Sequence, residues 1–222
     1  MLIVGGTGLY LKALTEGLCD APPADNRVRE QLWNECHGVG SATMYSRLQG
    51  VDAIAASRIH PNDARRIIRA LEVYALTGRP ISSWWRQASA ELLPGHVTVI
   101  GLNREREALY NRINERVFDM VYEQGVINEV RQLLRLPLSK TARQVHGLGD
   151  IEMYLEGKMT LKETLAIWQQ RVRHYARRQL TWFRQTPNIH WVTIPDEEHA
   201  WDTAAKVHDF ARRQHPQELQ VG

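Results

Sequence analysis

The side chains in this sequence that could do chemistry are mostly arginines. From Arg171 to Arg184 the chain reads Arg171-Val172-Arg173-His174-Tyr175-Ala176-Arg177-Arg178-Gln179-Leu180-Thr181-Trp182-Phe183-Arg184, five arginines without one acid. At 100° per residue, Leu165, Trp168, Val172, Ala176, Gln179 and Phe183 share one helical face. Arg173, Arg177 and Arg184 border that face on one side, Arg171 and Arg178 on the other. A guanidinium can grip two phosphate oxygens at once. The segment therefore reads either as a helix offering cations to phosphates or as an amphipathic helix with a basic rim.

A second group is Arg112-Ile113-Asn114-Glu115-Arg116-Val117-Phe118-Asp119-Met120. Arg112 and Arg116 are four apart and share a helix face. Such a pair could clamp a diphosphate and stabilise it as it departs; ion pairing with Glu115 or Asp119 is the plainer alternative. A third runs Arg58-Ile59-His60-Pro61-Asn62-Asp63-Ala64-Arg65-Arg66-Ile67-Ile68-Arg69. Basic side chains near a helix start suit an RNA backbone, whereas His60 reads equally well as a core or capping residue. The fourth, Gly5-Gly6-Thr7-Gly8, lets a backbone approach closely, and a helix N-terminus after it favours anions. A tight turn explains it as simply. The phosphate-loop pattern Gly-x-x-x-x-Gly-Lys-[Ser/Thr] does not occur in these 222 residues.

Other chemistries find no pattern. The nine histidines show no ligand spacing, there is no His-Glu-x-x-His, and Cys19 and Cys36 lack Cys-x-x-Cys or Cys/His company. Two cysteines in a chain this long indicate a reducing compartment, and we expect a cytoplasmic protein. No stretch approaches the roughly 18 apolar residues of a membrane span. Charged residues are 24% and the net charge only +3, so the clustering of arginines, more than their number, points to a phosphate-rich partner.

The elements that must hold these groups are largely helical. Leu2-Ile3-Val4 reads as the end of a buried strand, followed by the glycine turn and a helix from Leu9. Helical pattern resumes at Arg27 and runs in pieces to Thr77; Asn62 or Asp63 caps one piece, and Gly78 ends it before Pro80. Ile67, Ala70, Leu71 and Tyr74 form its apolar face. Pro94-Gly95 turns the chain into a strand at 96–102. Helices are expected over about 104–122, again around Val130, near 148–155, and over 160–183. Ile189–Ile194 has strand composition, and an amphipathic helix lies near Trp201–Arg213. So few strands beside so much helix make a poor sheet, and further strands are expected ahead of residue 1.

Taken in order, these pieces resemble the tRNA dimethylallyltransferases. The resemblance rests on Gly5-Gly6-Thr7-Gly8-Leu9-Tyr10, and on Ile59-His60-Pro61-Asn62-Asp63 with Arg66, Arg69-Ala70-Leu71-Glu72-Val73 and Thr77-Gly78. It continues through Arg112-Ile113-Asn114 with Arg116 and Met120, Glu129-Val130-Arg131, and Tyr154-Leu155-Glu156-Gly157. It closes on Tyr175-Ala176-Arg177-Arg178-Gln179 and Thr181-Trp182-Phe183. It implies an α/β fold, a partial P-loop-kinase-like core of few parallel strands with an all-helical insertion. The core would hold 1–21 and 94–222, and the insertion 22–93 would grip the tRNA anticodon arm. The implied reaction moves a dimethylallyl group from its diphosphate to N6 of an adenosine beside the anticodon, with Mg²⁺ assisting, in a monomer. Thr7, Arg29, Arg65, Arg66, Ile67, Ile68 and Arg69 would contact tRNA. Arg116, with Arg112, Arg173 and Arg177, would hold the diphosphate, and the run 171–184 would line the channel.

Two features depart from the family pattern. Its phosphate loop, and the aspartate expected to act as general base, precede the Gly-Gly-Thr-Gly turn in the family, and neither is in this sequence. We therefore expect no turnover from this polypeptide alone, and a non-catalytic anticodon-arm binder is the alternative. The family's Gly-Tyr-Lys/Arg-Glu stretch here reads Gly147-Leu148-Gly149-Asp150, and Val172 replaces a threonine. The reading requires Arg116, Arg173 and Arg177 to gather at the mouth of the glycine turn.

Overall fold

Capping side chains mark the start of five helices among the described residues. The structure, a computed structural model, describes residues 2–85 and 97–214. It divides into two compact units: Met1–Gly8 with Val97–Gly222, and Leu9–His96.

The second unit is all helical. It comprises α1 (Gly8–Thr15, whose first residue belongs to the other unit), α2 (Asn26–Val51), α3 (Ala53–Ala56), α4 (Ala64–Thr77) and α5 (Ile81–Trp85). Asp25, Asp52 and Asp63 accept backbone N–H groups at the starts of α2, α3 and α4, satisfying donors that a helix leaves unpaired. α2 kinks at Gly40, and Gly78 closes α4 in the left-handed region as its position in the sequence suggested. Leu32, Cys36, Met44 and Leu48 of α2 pack with Ile67, Ile68, Leu71 and Val73 of α4. Asp52 ties the corner: it caps α3 through Ala55 N–H and also accepts Ser82 N–H from α5. Tyr74, expected on the apolar face of α4, stands at the surface, and Ile68 and Val73 take the buried positions. Trp84 and Trp85 lie half-buried against this core, under the guanidiniums of Arg79 and Arg58. The expected turn at Pro94-Gly95 lies outside the described residues.

The other unit contains β1 (Val99–Arg104), α6 (Arg106–Tyr122), α7 (Val126–Leu133), a 3₁₀ turn at Ala142–Gln144, α8 (Leu148–Leu155), α9 (Leu161–Phe183), β2 (Ile189–Ile194) and α10 (Ala200–Gln214). β1 and β2 pair in parallel, from Val99 opposite Ile189 to Arg104 opposite Ile194. A parallel pair needs a long crossover, here supplied by α6 to α9. β1 begins at Val99, after Val97 and Thr98, and pairs with β2 from Ile189 onward. Val117, Val121, Val126, Val130, Leu148, Ile151 and Trp168 form this unit's core.

The strand expected at Leu2-Ile3-Val4 is absent. Residues 2–7 are neither helix nor strand, and these three side chains are exposed. Among the described residues β1 and β2 pair with each other alone, so no ladder receives this segment. Mostly helical structure with a small parallel sheet is the α/β class that the sequence indicated.

Candidate functional site

α9 is the organising element. Thr160 and Glu163 start it with a capping box: Glu163 N–H donates to the Thr160 hydroxyl, and Thr160 N–H donates to the Glu163 carboxylate at 2.8 Å. Trp168 is buried in the core of its unit. Around this anchored face the polar side chains reach three neighbours.

Toward α6, Gln169 donates to the Asn114 backbone carbonyl at 3.0 Å, and Arg173 donates to the Asn114 side-chain oxygen. Toward α8, Arg171 meets Asp150 at 2.8 Å. Asp150 is buried, and its other carboxylate oxygen has no hydrogen-bond partner. Burial pushes its pKa above the usual carboxylate range, against the opposing pull of Arg171 and His146. Toward the glycine turn, Gln179 donates to the Gly6 carbonyl at 2.7 Å. A Cβ on Gly8 would come within 2.2 Å of the Trp182 ring, so the turn needs glycine there for contact with α9.

The sequence had placed Gln179 inside an apolar stripe. That polar residue at a packing position was the legible sign of a buried partner. No comparable sign marked Asn114 as the contact for Arg173.

The anticipated diphosphate arginines separate into two pairs. Residues two apart on a helix lie about 200° apart. With Asn114 turned to α9, Arg112 and Arg116 stand together on the far face of α6, both exposed. Arg173 and Arg177 share a face of α9, but Gln179, which receives the glycine turn, lies about 120° round from the first and about 160° from the second. Among the described residues, the hydrogen bond from α9 to the glycine turn comes from Gln179, whereas Arg173 bonds to Asn114 of α6. Among the described residues no carboxylate lies within ion-pair distance of Arg112, Arg116, Arg173 or Arg177. Arg171, within the run expected to line the channel, is instead occupied by Asp150.

The anticipated tRNA contacts also sort themselves. Ile67 and Ile68 are buried in the helical core, so their side chains are packing residues and not surface contacts. The run 65–69 spans more than one face of α4, and only its outer residues reach solvent. Arg65 and Arg66 are exposed, with Arg66 3.3 Å from Asp63. Arg29 and Arg69 both donate to one oxygen of the fully buried Glu72, each at 2.8 Å. Thr7, within the glycine turn, is exposed.

A family model for IPP transferases matches residues 1–186. The chain belongs to the IPP transferase family. It is 42% identical over 197 residues to a tRNA dimethylallyltransferase of Geobacter metallireducens, covering 88% of this chain and 63% of the relative. It is 42% identical over 213 residues to one from Geobacillus kaustophilus, covering 95% and 66%. This IPP transferase chain thus spans less than two thirds of the length of these relatives. Among solved structures it resembles the tRNA isopentenylpyrophosphate transferase of Bacillus halodurans, with 34% identity, a TM-score of 0.56, and 92% and 63% of the two chains covered. It also resembles a eukaryotic dimethylallyltransferase acting on tRNA, with 26% identity, a TM-score of 0.72, and 95% and 55% covered.

Proposed function

We propose that this chain serves dimethylallyl transfer from dimethylallyl diphosphate to N6 of an adenosine beside the tRNA anticodon. The observation that carries the proposal is the joining of three family motifs on α9. Asn114 of the Arg112–Arg116 segment and the Gly5–Gly8 turn are both held by side chains of the basic helix.

The chemistry fits the groups available. As the allylic carbon–oxygen bond breaks, negative charge grows on the diphosphate, and preorganised cations lower the barrier. Arg112 and Arg116, exposed, one turn apart and free of carboxylates, are assigned to that diphosphate. Arg173 braces their helix through Asn114, and Arg177 adds an exposed cation one turn on. The accepting adenine must leave its stack to present N6. The helical unit, with Arg29, Arg65, Arg66 and Arg69, is assigned to the anticodon arm, and Thr7 to RNA beside the glycine turn. The protein acts as a monomer in the cytoplasm.

The described residues contain no group of three His, Cys, Asp or Glu side chains able to hold a metal. They do not form a cage for Mg²⁺, an ion that commonly binds through substrate phosphates, and no step is assigned to it.

The test uses radiolabelled dimethylallyl diphosphate and an RNA anticodon stem-loop. We expect the chain to bind both, and Arg116→Ala to weaken diphosphate binding by about tenfold or more, the loss of one charge-assisted contact. Transfer of label to the adenosine is the direct readout of the reaction. RNA binding without any diphosphate binding would sink the proposal in favour of a non-catalytic RNA binder.

A further inference from the structure

Glu72 is an acid in the wrong place for an ordinary surface helix. It follows Ala70 and Leu71 and precedes Val73 in the buried part of α4, and its own accessibility is 0%. A buried carboxylate is costly unless it is paired and hydrogen-bonded. This one is saturated: Asp25 N–H donates to one oxygen at 3.0 Å, and Arg29 and Arg69 donate to the other at 2.8 Å each. Arg69 is fixed a second time, donating to the Pro22 carbonyl at 2.6 Å. The arrangement pins the start of α2 to α4.

The two arginines are not consumed by it. Their side chains remain 38% and 31% exposed, and a guanidinium has five N–H donors. Two cations share one anion, so the cluster keeps a positive charge. Arg65 lies one turn before Arg69 on the same stripe of α4, exposed and without an ion-pair partner among the described residues. The other acids nearby are occupied, Asp25 by the cap of α2 and Asp63 by the cap of α4 and by Arg66.

We propose that Glu72 is a positioning residue, which presets Arg29 and Arg69 as a rigid seat for an RNA backbone phosphate. Held forks lose less freedom on binding than free side chains do. The inference rests on the RNA-binding reading of the helical unit and goes beyond it by assigning the buried acid.

Binding of the full chain to an anticodon stem-loop RNA, measured over a series of salt concentrations, separates the ideas. The slope against salt counts the phosphates neutralised, while the affinity at fixed salt also reports positioning. Glu72→Gln, checked for a native helical spectrum, is expected to bind about tenfold more weakly, with Glu72→Asp recovering part of the loss. Should Glu72→Gln fail to fold, Arg29→Lys with Arg69→Lys replaces it, keeping both charges but not the forks. That variant is expected to lose affinity by a similar factor at an unchanged salt slope. If folded Glu72→Gln, or the lysine variant, binds like the wild type, Glu72 is only structural and the inference is overturned while RNA binding stands. If the wild-type chain shows no salt-sensitive RNA binding, the RNA reading fails and the inference falls with it.

Discussion

At the scale of single residues, Gly147 and Gly149 stand two apart and answer to different constraints. Gly147 has φ of 91°, and a Cβ there would fall 2.3 Å from the Trp168 ring. Gly149 lies in the first turn of α8 with open space around it. Gly147→Ala should therefore cost about 2–4 kcal/mol, combining left-handed strain with overpacking. Gly149→Ala should stabilise by up to about 1 kcal/mol. Urea unfolding of both variants tests the pair, and equal effects would contradict the assignment. Asp150, in the same stretch, has a raised pKa in the fold. Below its ordinary value of 3.8, folded and unfolded states are both protonated and ionisation costs nothing. As pH rises from there toward the raised folded value, the unfolded state gives up its proton while the native state keeps it, and stability falls until that value is passed. Asp150→Asn should therefore gain stability relative to the wild type as pH rises from the ordinary 3.8 toward the raised folded value; a difference that stays constant with pH would refute this. Glu72 works with the opposite sign. Burial resists its ionisation, yet hydrogen bonds from Arg69 and Arg29 prevail and hold its pKa below the ordinary 4.5. Its contribution is complete above that value and is lost as pH falls through the lower folded one.

At the scale of elements, helix ends were the best-read features. Asp63 and Gly78 bound α4 where the sequence put them, and Thr160 and Gly157 mark the start of α9 and the end of the turn after α8. These signals are local, since a cap contacts backbone within three residues of itself. α9 holds both Asn114 and Gly6, so its first turn matters to the proposed site. Thr160→Ala should cost about 1 kcal/mol and Thr160→Ser very little, as measured by denaturant midpoint. The strands were read less well. Composition identified β1 and β2 but also offered residues 2–4, whose side chains are exposed. Strand propensity describes a surface awaiting a partner, and only the pairing shows whether the partner exists.

At the scale of the molecule, two separate apolar clusters serve the two units. The helical unit buries its cluster within residues 9–96. Expressed alone, that segment should give a helical circular dichroism spectrum and one cooperative urea transition, with an m-value of about 1 kcal/mol/M. A gradual, non-cooperative loss of signal would show that its core does not suffice. The sequence by itself determined the family, the helix boundaries and the arginine runs, because these depend on residue order and on contacts within a turn or two. It could not say which arginines were free. Arg171, Arg29 and Arg69 resemble Arg112, Arg116 and Arg65 along the chain. Arg29 meets its carboxylate 43 residues away, and Arg171 meets one on another helix. Only the tertiary structure decided that division, because a guanidinium is held by whatever lies next to it in space.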